Sequence, residues 1–376
     1  MSAQKKPCTL REGYTTGTCA AAAAGVAVLL LLGGEVQSRT QITLPGGQVL
    51  TLPVEELRME ENRAVCGIQK DSGDDPDVTN GVVVYAAVEK METGGVEIDG
   101  GVGVGRVTKR GLAVPVGGAA INPGPRDMIT RQVRRAAEKY GYGGGLKVEV
   151  FIPAGVKLAG KTFNPRLGIE GGISVLGTSG VVKPMSKQAL LDSIRLEMNV
   201  LREGGGEMIA LTPGNYGQAF LMKTLGVPKP HIVQCGNFMG GALRFAGKLG
   251  FSGILLAGHI GKFIKLAGGM TNLHSGYGDC RMELLAAFAA AEGAAQALVQ
   301  KLLACVTTDD ALTVLAGAGL RKQTMARVME RIWFHVRSMS KEDMPLGVVV
   351  YSNEWGVLGT AGEAEGLIAR MRLGSH

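Results

Sequence analysis

Apolar residues in the first half of the chain fall into short runs that polar and glycine-containing segments separate. The longest run follows Thr15, continues through an alanine stretch to Leu32 and stops at Gly33-Gly34. Threonine is a good helix cap, alanine is the strongest helix former and glycine commonly ends helices. The pattern therefore predicts a buried helix that begins at a polar loop.

Short β-type runs follow this helix. They lie at 41–44, 49–52, 64–68, 82–88 and 96–98. The turn signal Pro45-Gly46-Gly47 joins the first two as a hairpin. A helix fits 126–140, and 147–152 alternates charged and apolar residues as a half-buried strand does. Residues 1–190 are therefore predicted to form an α+β domain with a mainly antiparallel sheet.

The second half repeats a different pattern, in which an apolar strand leads into a polar loop and then a helix. The strand-like runs are 208–211, 231–233, 253–257 and, as the expected last strand, 346–351. Long helices are expected near 281–303 and 321–338. Residues 191–376 are therefore predicted to form an α/β domain with a small parallel sheet. Ligands of such sheets bind outside the carboxyl ends of the strands, where the four polar loops would gather.

Composition narrows the functional classes. The chain has 376 residues, enough for two domains, with a formal net charge of +7 and 5% aromatic residues. Because the basic residues are scattered and the aromatic residues few, no nucleic-acid partner is expected. The positive excess fits a small polyanionic substrate or simply a basic, solvated surface. The 58 glycines cluster between apolar runs, where backbone can approach a ligand closely.

The cysteines and the longest apolar run bear on location and metal binding. Six cysteines occur without a C-x-x-C pair or a zinc-type Cys/His cluster. This distribution offers no zinc site and indicates a reducing cytoplasm. The apolar run 20–32 is too short to span a bilayer, so no membrane partner is expected.

Two polar segments of the first half suggest binding. The threonines Thr15, Thr16 and Thr18 are suited to hold an anion at a helix start, whereas capping alone needs only one of them. A second segment, the acidic loop 71–77, contains four aspartates. It fails the EF-hand pattern, and its carboxylates suit a metal ion, cationic groups or ribose hydroxyls. The role of the acidic loop stays open at this point.

Glycine-rich segments resemble nucleotide-binding loops only in part. Residues 100–106 lack the sixth-position glycine and the following helix of a dinucleotide site. Residues 258–262 are preceded by Leu256, where a phosphate-binding loop needs glycine. Residues 171–180 are suited either to cradle a phosphate or carboxylate, or to serve as a flexible connector.

Charged and titratable side chains add further candidates. Arg126 opens a helix on which Arg131, Arg134 and Arg135 share one face, suited to carboxylates or to solvent. His259 and His274 lie in polar, glycine-rich loops and are the candidates among the five histidines.

Together these segments resemble the CbiD family. The matching segments are 13–20, 74–79, 121–123 with Pro125-Arg126, 213–215, 258–262, and His274-Ser275 with Asp279 and Arg281. Each is short, but their order and spacing over most of the chain make the resemblance specific.

The resemblance implies methylation of cobalt-precorrin-5B at C-1, giving cobalt-precorrin-6A, in anaerobic cobalamin (vitamin B12) biosynthesis. It implies S-adenosylmethionine as the methyl donor, with cobalt present only within the corrin-type tetrapyrrole substrate. It also implies a permuted, ribosomal-protein-like α+β fold for the first domain and a parallel α/β fold for the second. A homo-oligomer is left open.

The resemblance and the loop positions together predict the site residues. Methyl-donor binding is predicted for Thr212, Gly214, Asn215, Gly236, Asn237, Gly258 and Gly261. Substrate binding, with the tetrapyrrole between the two domains, is predicted for Thr15, Thr16, Thr18, Asp74, Asp75, Asp77, Asn122 and Arg126. Methyl transfer to an electron-rich carbon depends mainly on alignment of the reactants. If a general base exists, it is His259 or His274.

Two other classes stay open. A small-molecule kinase is one, because related α+β folds occur in such enzymes and 171–180 is suited to phosphate. The absence of a recognisable nucleotide motif weighs against it. The other is a tetrapyrrole carrier without catalytic activity.

Overall fold

The computed structural model describes residues 10–340 and 343–374. The chain divides into two compact units, Met1–Lys187 (unit 1) and Gln188–His376 (unit 2). Each unit has its own hydrophobic core.

Unit 1 combines α-helices with mostly antiparallel strands. Its helices are α1 (Thr16–Gly33), α2 (Pro123–Glu138), α3 (Gly155–Leu158) and α4 (Asn164–Leu167). Its longer strands are β2 (Arg39–Thr43), β3 (Val49–Pro53), β4 (Glu56–Glu60), β5 (Arg63–Gln69), β6 (Val83–Met91), β7 (Val96–Gly100) and β10 (Gly145–Phe151). Two-residue strands complete it: β1 (Gly13–Tyr14), β8 (Gly103–Val104), β9 (Arg106–Val107), β11 (Ile169–Glu170), β12 (Gly172–Ile173) and β13 (Val181–Val182).

Helix α1 is the central element of the unit 1 core. Thr15 caps its start, and Gly34, with φ of 68°, ends it in the left-handed conformation that favours glycine. The helix packs against β5, β6 and α2. By length and composition α1 could cross a membrane. The prediction that this apolar segment is too short to do so was therefore wrong. However, 78% of it is buried inside the protein, as a core helix is.

The main sheet of unit 1 has the strand order β4-β5-β6-β10-β7. Its first three pairings are antiparallel, and β7 pairs with β10 in parallel. The hairpin predicted around Pro45-Gly46-Gly47 is present as β2 and β3. The α+β architecture with a mainly antiparallel sheet is therefore confirmed for this unit.

Unit 2 is built from alternating strands and helices. Its strands are β14 (Met208–Thr212), β15 (Ile232–Gln234), β16 (Gly253–His259), β17 (Leu346–Ser352) and β18 (Gly356–Gly362). Its helices are α5 (Lys187–Glu203), α6 (Asn215–Lys223), α7 (Met239–Lys248), α8 (Ile260–Ala267), α9 (Arg281–Ala291), α10 (Gln296–Leu303), α11 (Thr308–Gly317), α12 (Arg321–Ser338) and α13 (Ala364–Leu373).

The sheet of unit 2 has the order β15-β14-β16-β17-β18. The first four strands are parallel, as predicted. Side chains alternate between two apolar layers: Leu256 belongs to the larger core and Leu255 to a smaller core on the opposite face. Helices cover both faces, which explains why these strands are apolar without interruption.

Two sequence predictions in unit 2 are wrong. β17 is not the last strand, because β18 follows it and pairs with it antiparallel. β18 contains three glycines and is largely exposed, so no hydrophobic periodicity reveals it. The helix predicted at 281–303 is two helices, α9 and α10. Gly293, with φ of 88°, takes the left-handed conformation between them and interrupts the helix.

Candidate ligand-binding site

A cavity of about 390 Å³ opens at the carboxyl ends of the parallel strands in unit 2. We call it the strand-edge pocket. Its lining residues are Pro213, Gly214, Asn215, Tyr216, Gly217, His259, Gly261, Lys262, Arg281, Thr307, Thr308, Asp309, Tyr351 and Asn353. Three of the four polar loops predicted at this edge contribute to it, namely those that follow β14, β16 and β17.

The loop after β14 supplies an open wall of the pocket. Gly214 has an extended backbone (φ 179°), and a Cβ atom placed on it would meet no atom within 4 Å. The next residues begin α6, where the side chain of Tyr216 is 80% exposed. The backbone of Gly214 and the ring of Tyr216 are thus accessible to a ligand.

The loop after β16 fixes the orientation of His259. This residue caps α8, and its Nδ1 accepts a hydrogen bond from the backbone N–H of Gly261 at 3.1 Å. Because Nδ1 is the acceptor, the proton of the neutral ring is on Nε2. Burial lowers the pKa of His259, and the charge of Asp309 opposes this effect only in part. His259 is therefore a neutral imidazole at neutral pH.

Asp309 lies opposite this histidine. Its Oδ2 is 3.5 Å from Nε2 of His259, and its Oδ1 accepts a hydrogen bond from the Ser352 hydroxyl. Ser352 in turn accepts the backbone N–H groups of Glu354 and Trp355 at 3.1 and 3.2 Å. The turn after β17 thus holds the Asp309 carboxylate in place.

Asp309 was not predicted from the sequence, although a signal for it is present. The residue belongs to the first turn of α11, which begins with a capping box formed by Thr307 and Asp310. A threonine followed three residues later by an acidic residue marks a helix start. This signal locates a carboxylate in the first turn of a helix, but it does not reveal that this turn lies at the pocket.

Two cations line the pocket in different states. Arg281 donates to both carboxylate oxygens of Asp279, at 2.7 and 2.8 Å. Lys262 donates instead to the neutral amide oxygen of Asn237 at 2.9 Å. Burial lowers the pKa of Lys262; Cys235 opposes this effect in part, and Lys265 adds a smaller contribution to it. Only Arg281 is neutralised by a carboxylate.

The predicted methyl-donor residues divide into two groups. Gly214, Asn215 and Gly261 line the pocket. The other predicted residues, Thr212, Gly236, Asn237 and Gly258, lie outside its lining. Of these, Asn237 reaches the pocket indirectly, through its bond to Lys262.

Two of the residues outside the lining are enclosed by protein atoms. Thr212 is fully buried at the end of β14, and its hydroxyl makes no hydrogen bond within the described residues. Glycine is needed at position 258 for close packing, because a Cβ atom there would fall 2.1 Å from the ring of Phe263.

The two candidate histidines lie in different surroundings. His259 lines the pocket, whereas His274 does not. His274 caps the short 3-10 helix Ser275–Tyr277, and its Nδ1 accepts the backbone N–H of Gly276 at 2.9 Å. Its position is thus explained by local capping.

The three candidate threonines Thr15, Thr16 and Thr18 are buried. Thr15 caps α1 by accepting the N–H of Thr18 at 3.2 Å, and the Thr18 hydroxyl donates to the carbonyl of Gly180 at 2.8 Å. The Thr16 hydroxyl accepts the N–H of Leu176 at 3.0 Å. The hydroxyls therefore attach the start of α1 to the 174–180 segment. This explains why three threonines are present where helix capping alone needs one.

The acidic loop is held by hydrogen bonds within unit 1. Asp74 accepts the N–H of Arg11, and Asp75 accepts the N–H of Met185. The buried Lys70 donates to Asp77 at 2.6 Å. Burial disfavours the Asp77 carboxylate, but this hydrogen bond, the charge of Lys70 and two hydrogen bonds from Thr79 together lower its pKa.

Arg126 and Asn122 lie at the start of α2. The Arg126 guanidinium donates to the carbonyls of Ile121 and Ile98, both at 2.9 Å. The exposed Asn122 occupies the cap position without a side-chain capping bond.

A second cavity, of about 260 Å³, lies over the sheet of unit 1. Its charged lining residues form ion pairs: Arg63 with Glu149, Lys147 with Glu89, and Arg106 with Asp99. Within residues 10–340 and 343–374, no group of three or more His, Cys, Asp or Glu side chains is arranged to hold a metal ion.

Fold and pocket together define a class: a two-unit protein whose α/β unit has a small-ligand pocket at the carboxyl edge of a parallel sheet. The family model described as CbiD matches residues 2–184, and that described as CbiD, C-terminal domain, matches residues 272–362. The chain belongs to the CbiD family, as its sequence motifs indicated.

Curated relatives cover nearly the whole chain. A cobalt-precorrin-5B C(1)-methyltransferase of Thermoanaerobacter sp. (strain X514) is 42% identical over 94% of this chain and 96% of its own length. One of Moorella thermoacetica is 45% identical over 82% of this chain and 83% of its own length. The crystal structure of the cobalamin biosynthesis protein (cbiD) from Archaeoglobus fulgidus matches at 30% identity with a TM-score of 0.38, covering 69% of this chain and 80% of that one.

Proposed function

We propose that this protein methylates cobalt-precorrin-5B at C-1, giving cobalt-precorrin-6A, with S-adenosylmethionine as the methyl donor. The observation that carries the proposal is the 42% identity to a cobalt-precorrin-5B C(1)-methyltransferase over 94% of the chain. The reaction belongs to anaerobic cobalamin biosynthesis, and cobalt enters as part of the tetrapyrrole. The five cysteines of the described residues are free thiols, compatible with a cytoplasmic enzyme.

S-Adenosylmethionine suits the strand-edge pocket. The volume of about 390 Å³ falls in the range of small-molecule sites. The open backbone of Gly214 accepts close contact, and the exposed ring of Tyr216 offers a surface for a purine. Asp309 supplies a fixed carboxylate for an ammonium group or ribose hydroxyls, and Lys262 supplies a cation.

Methyl transfer requires little acid–base catalysis from the protein side chains. The donor supplies an activated methyl group, and the electron-rich substrate carbon attacks it in line, so alignment and exclusion of water dominate the rate. The neutral His259 and the anchored Asp309 provide fixed polar groups, which can orient a ligand without rearrangement.

The roles of the unit 1 residues belong to the same proposal. We expect Asn122 and Arg126 to contact tetrapyrrole carboxylates, because the Asn122 amide is exposed and Arg126 is permanently charged. The internal bonds of Thr15, Thr16, Thr18 and the acidic loop favour a structural contribution to that surface. For the fold of unit 1 we propose a permuted, ribosomal-protein-like arrangement, supported by α1 packed on the mainly antiparallel sheet.

A titration with radiolabelled S-adenosylmethionine and with ATP tests the proposal against its alternatives. We expect saturable binding of S-adenosylmethionine, no binding of ATP, and label transfer to cobalt-precorrin-5B in a single turnover. ATP binding with phosphate transfer would indicate a kinase. Tetrapyrrole binding without either small molecule would indicate a carrier.

A further inference from the structure

Lys262 is a partly buried cation without an anionic partner. It lines the strand-edge pocket, and its ammonium donates to the neutral amide of Asn237 at 2.9 Å. In the described part of the chain Lys262 forms no ion pair with any carboxylate. Arg281, which lines the same pocket, is already paired with Asp279.

The surroundings of Lys262 make its positive charge unfavourable unless an anion binds next to it. Lys265, one helical turn further along α8, is 3% exposed, and its single hydrogen bond among the described residues goes to the carbonyl of Leu273, at 3.4 Å. Two ammonium groups therefore lie on the same short helix, and both are removed from water to different degrees. A partly buried charge without a counter-ion is unfavourable, and like charges nearby add to the cost.

The carboxylate that lines the pocket does not neutralise Lys262. Asp309 accepts from Ser352 and faces Nε2 of His259. Asn237 directs the Lys262 ammonium without neutralising it, because an amide oxygen carries no formal charge. The geometry thus presents an oriented cation at the pocket surface.

We propose that Lys262 is the anchor for a carboxylate of the bound ligand. The inference rests on the proposed function, which offers two sources of that group: the methionine carboxylate of the methyl donor and a carboxylate of the tetrapyrrole. A charge-assisted hydrogen bond to this carboxylate would complete the coordination that Asn237 begins.

Calorimetry on the full chain with Lys262→Met tests this role. The probes are S-adenosylhomocysteine, which has the carboxylate, 5′-methylthioadenosine, which lacks the amino-acid part, and cobyrinic acid as a cobalt-containing polycarboxylate. Loss of a charge-assisted contact should weaken carboxylate binding by roughly ten- to a hundredfold. We expect this loss for S-adenosylhomocysteine and no change for 5′-methylthioadenosine. A selective loss for cobyrinic acid would support the anchor and assign it to the tetrapyrrole.

Matched variants exclude trivial effects. Lys248→Met removes an exposed lysine from the last turn of α7, at the opposite edge of the sheet, and should bind every probe like the wild type. Lys262→Arg keeps the charge and should recover most of the lost affinity, which a merely structural lysine would not explain. Circular dichroism confirms that each variant is folded, and Lys262→Gln replaces Lys262→Met if the latter is not.

Two results would overturn the inference. One is a folded Lys262 variant that binds all three probes with wild-type affinity. The other is an equal loss for S-adenosylhomocysteine and 5′-methylthioadenosine, because the carboxylate would then be irrelevant. Wild-type protein that binds none of the probes would contradict the proposed function as well as the anchor, whereas wild-type binding with an unaffected variant contradicts the anchor alone.

Discussion

In unit 1, the polar side chains of the Thr15–Thr18 segment and of the acidic loop are bonded to one another and to nearby backbone, whereas the strand-edge pocket of unit 2 keeps unsatisfied groups. In unit 1, Thr18 donates to Gly180 and Lys70 to Asp77. In unit 2, Lys262 has only a neutral partner, and Nε2 of His259 makes no hydrogen bond within the described residues. Both regions are rich in polar residues, but their polar atoms are used differently.

This difference distinguishes polar groups that stabilise the fold from polar groups that are available to bind a ligand. Buried donors and acceptors in folded proteins are nearly always paired, so a polar cluster that satisfies itself holds the fold together. Polar groups that converge on a cavity without full pairing are available to a ligand. We therefore expect substitutions of the self-paired polar residues in unit 1 to act on stability and substitutions at the pocket to act on binding.

The largest effect is expected for Lys70→Met in unit 1. Lys70 is 3% exposed and is paired with the Asp77 carboxylate, so its loss leaves a partly buried charge without its partner. We expect the free energy of unfolding to fall by about 3 kcal/mol. Urea denaturation measures this change, while the affinity for S-adenosylmethionine of the folded fraction should not change.

The control is Arg11→Met, because Arg11 pairs with Asp71 at the surface of the same loop. Solvent screens this pair, so the variant should be much more stable than Lys70→Met. Equal stability of the two variants would contradict the structural role of the Lys70–Asp77 pair. A selective loss of ligand affinity in Lys70→Met would instead show that the acidic loop has a binding role.

Helices and strands with clear apolar patterns could be predicted from sequence. α12 was predicted at 321–338 and spans Arg321–Ser338. The buried parallel strands were also located, because strands covered on both faces are apolar without interruption. β18 was missed because it is an exposed edge strand rich in glycine, in which no pattern of burial constrains the sequence.

Residues of the pocket could be predicted from sequence only where they lie in loops directly after predicted strands. Gly214, Asn215, His259 and Gly261 follow directly after predicted strands, and the structure brings them together. Asp309 comes from a helix far along the chain, and only tertiary packing places it beside His259. Whether a polar group is already satisfied depends equally on tertiary contacts, so the sequence could not separate the Thr15 segment from the pocket.

Gly214→Val should produce the next largest effect, now on binding. Its backbone is extended and its Cβ position is open, so valine fits the fold but occupies space in the pocket. We expect S-adenosylmethionine affinity to fall at least about tenfold, near 1.4 kcal/mol, with unfolding unchanged. Isothermal titration calorimetry and urea denaturation measure the two quantities.

Gly258→Val is the informative counterpart. Its Cβ atom would collide with the ring of Phe263 beneath the pocket, so we expect a loss of stability of about 1–3 kcal/mol from overpacking. If Gly214→Val binds the donor normally, the ligand does not occupy this part of the pocket, and the binding role expected of Gly214 is wrong.

A smaller effect is expected when His259 is replaced by glutamine. Nδ1 of His259 is occupied by the Gly261 amide and Nε2 carries the proton, so no lone pair is free to act as a general base. We expect the single-turnover rate at saturating substrate to fall less than about tenfold. His274→Gln, outside the pocket, should leave the rate unchanged. A loss above about a hundredfold in a folded variant that binds both ligands would instead identify a base.

The smallest effect concerns pH and again distinguishes the pocket from its surroundings. Burial lowers the pKa of His259 below its ordinary value of 6.5, so the unfolded chain binds this proton more readily than the folded protein. The contribution of His259 to stability is therefore present above about pH 6.5 and is lost as pH falls through that value towards the folded pKa. His335, whose pKa burial also lowers, adds a similar contribution that His259→Gln leaves in place. Urea denaturation between about pH 8 and about pH 5 should show a shallower acid loss in His259→Gln than in the wild type. Parallel curves would mean that folding does not change the pKa of His259, and the lowering of this pKa by burial would be wrong.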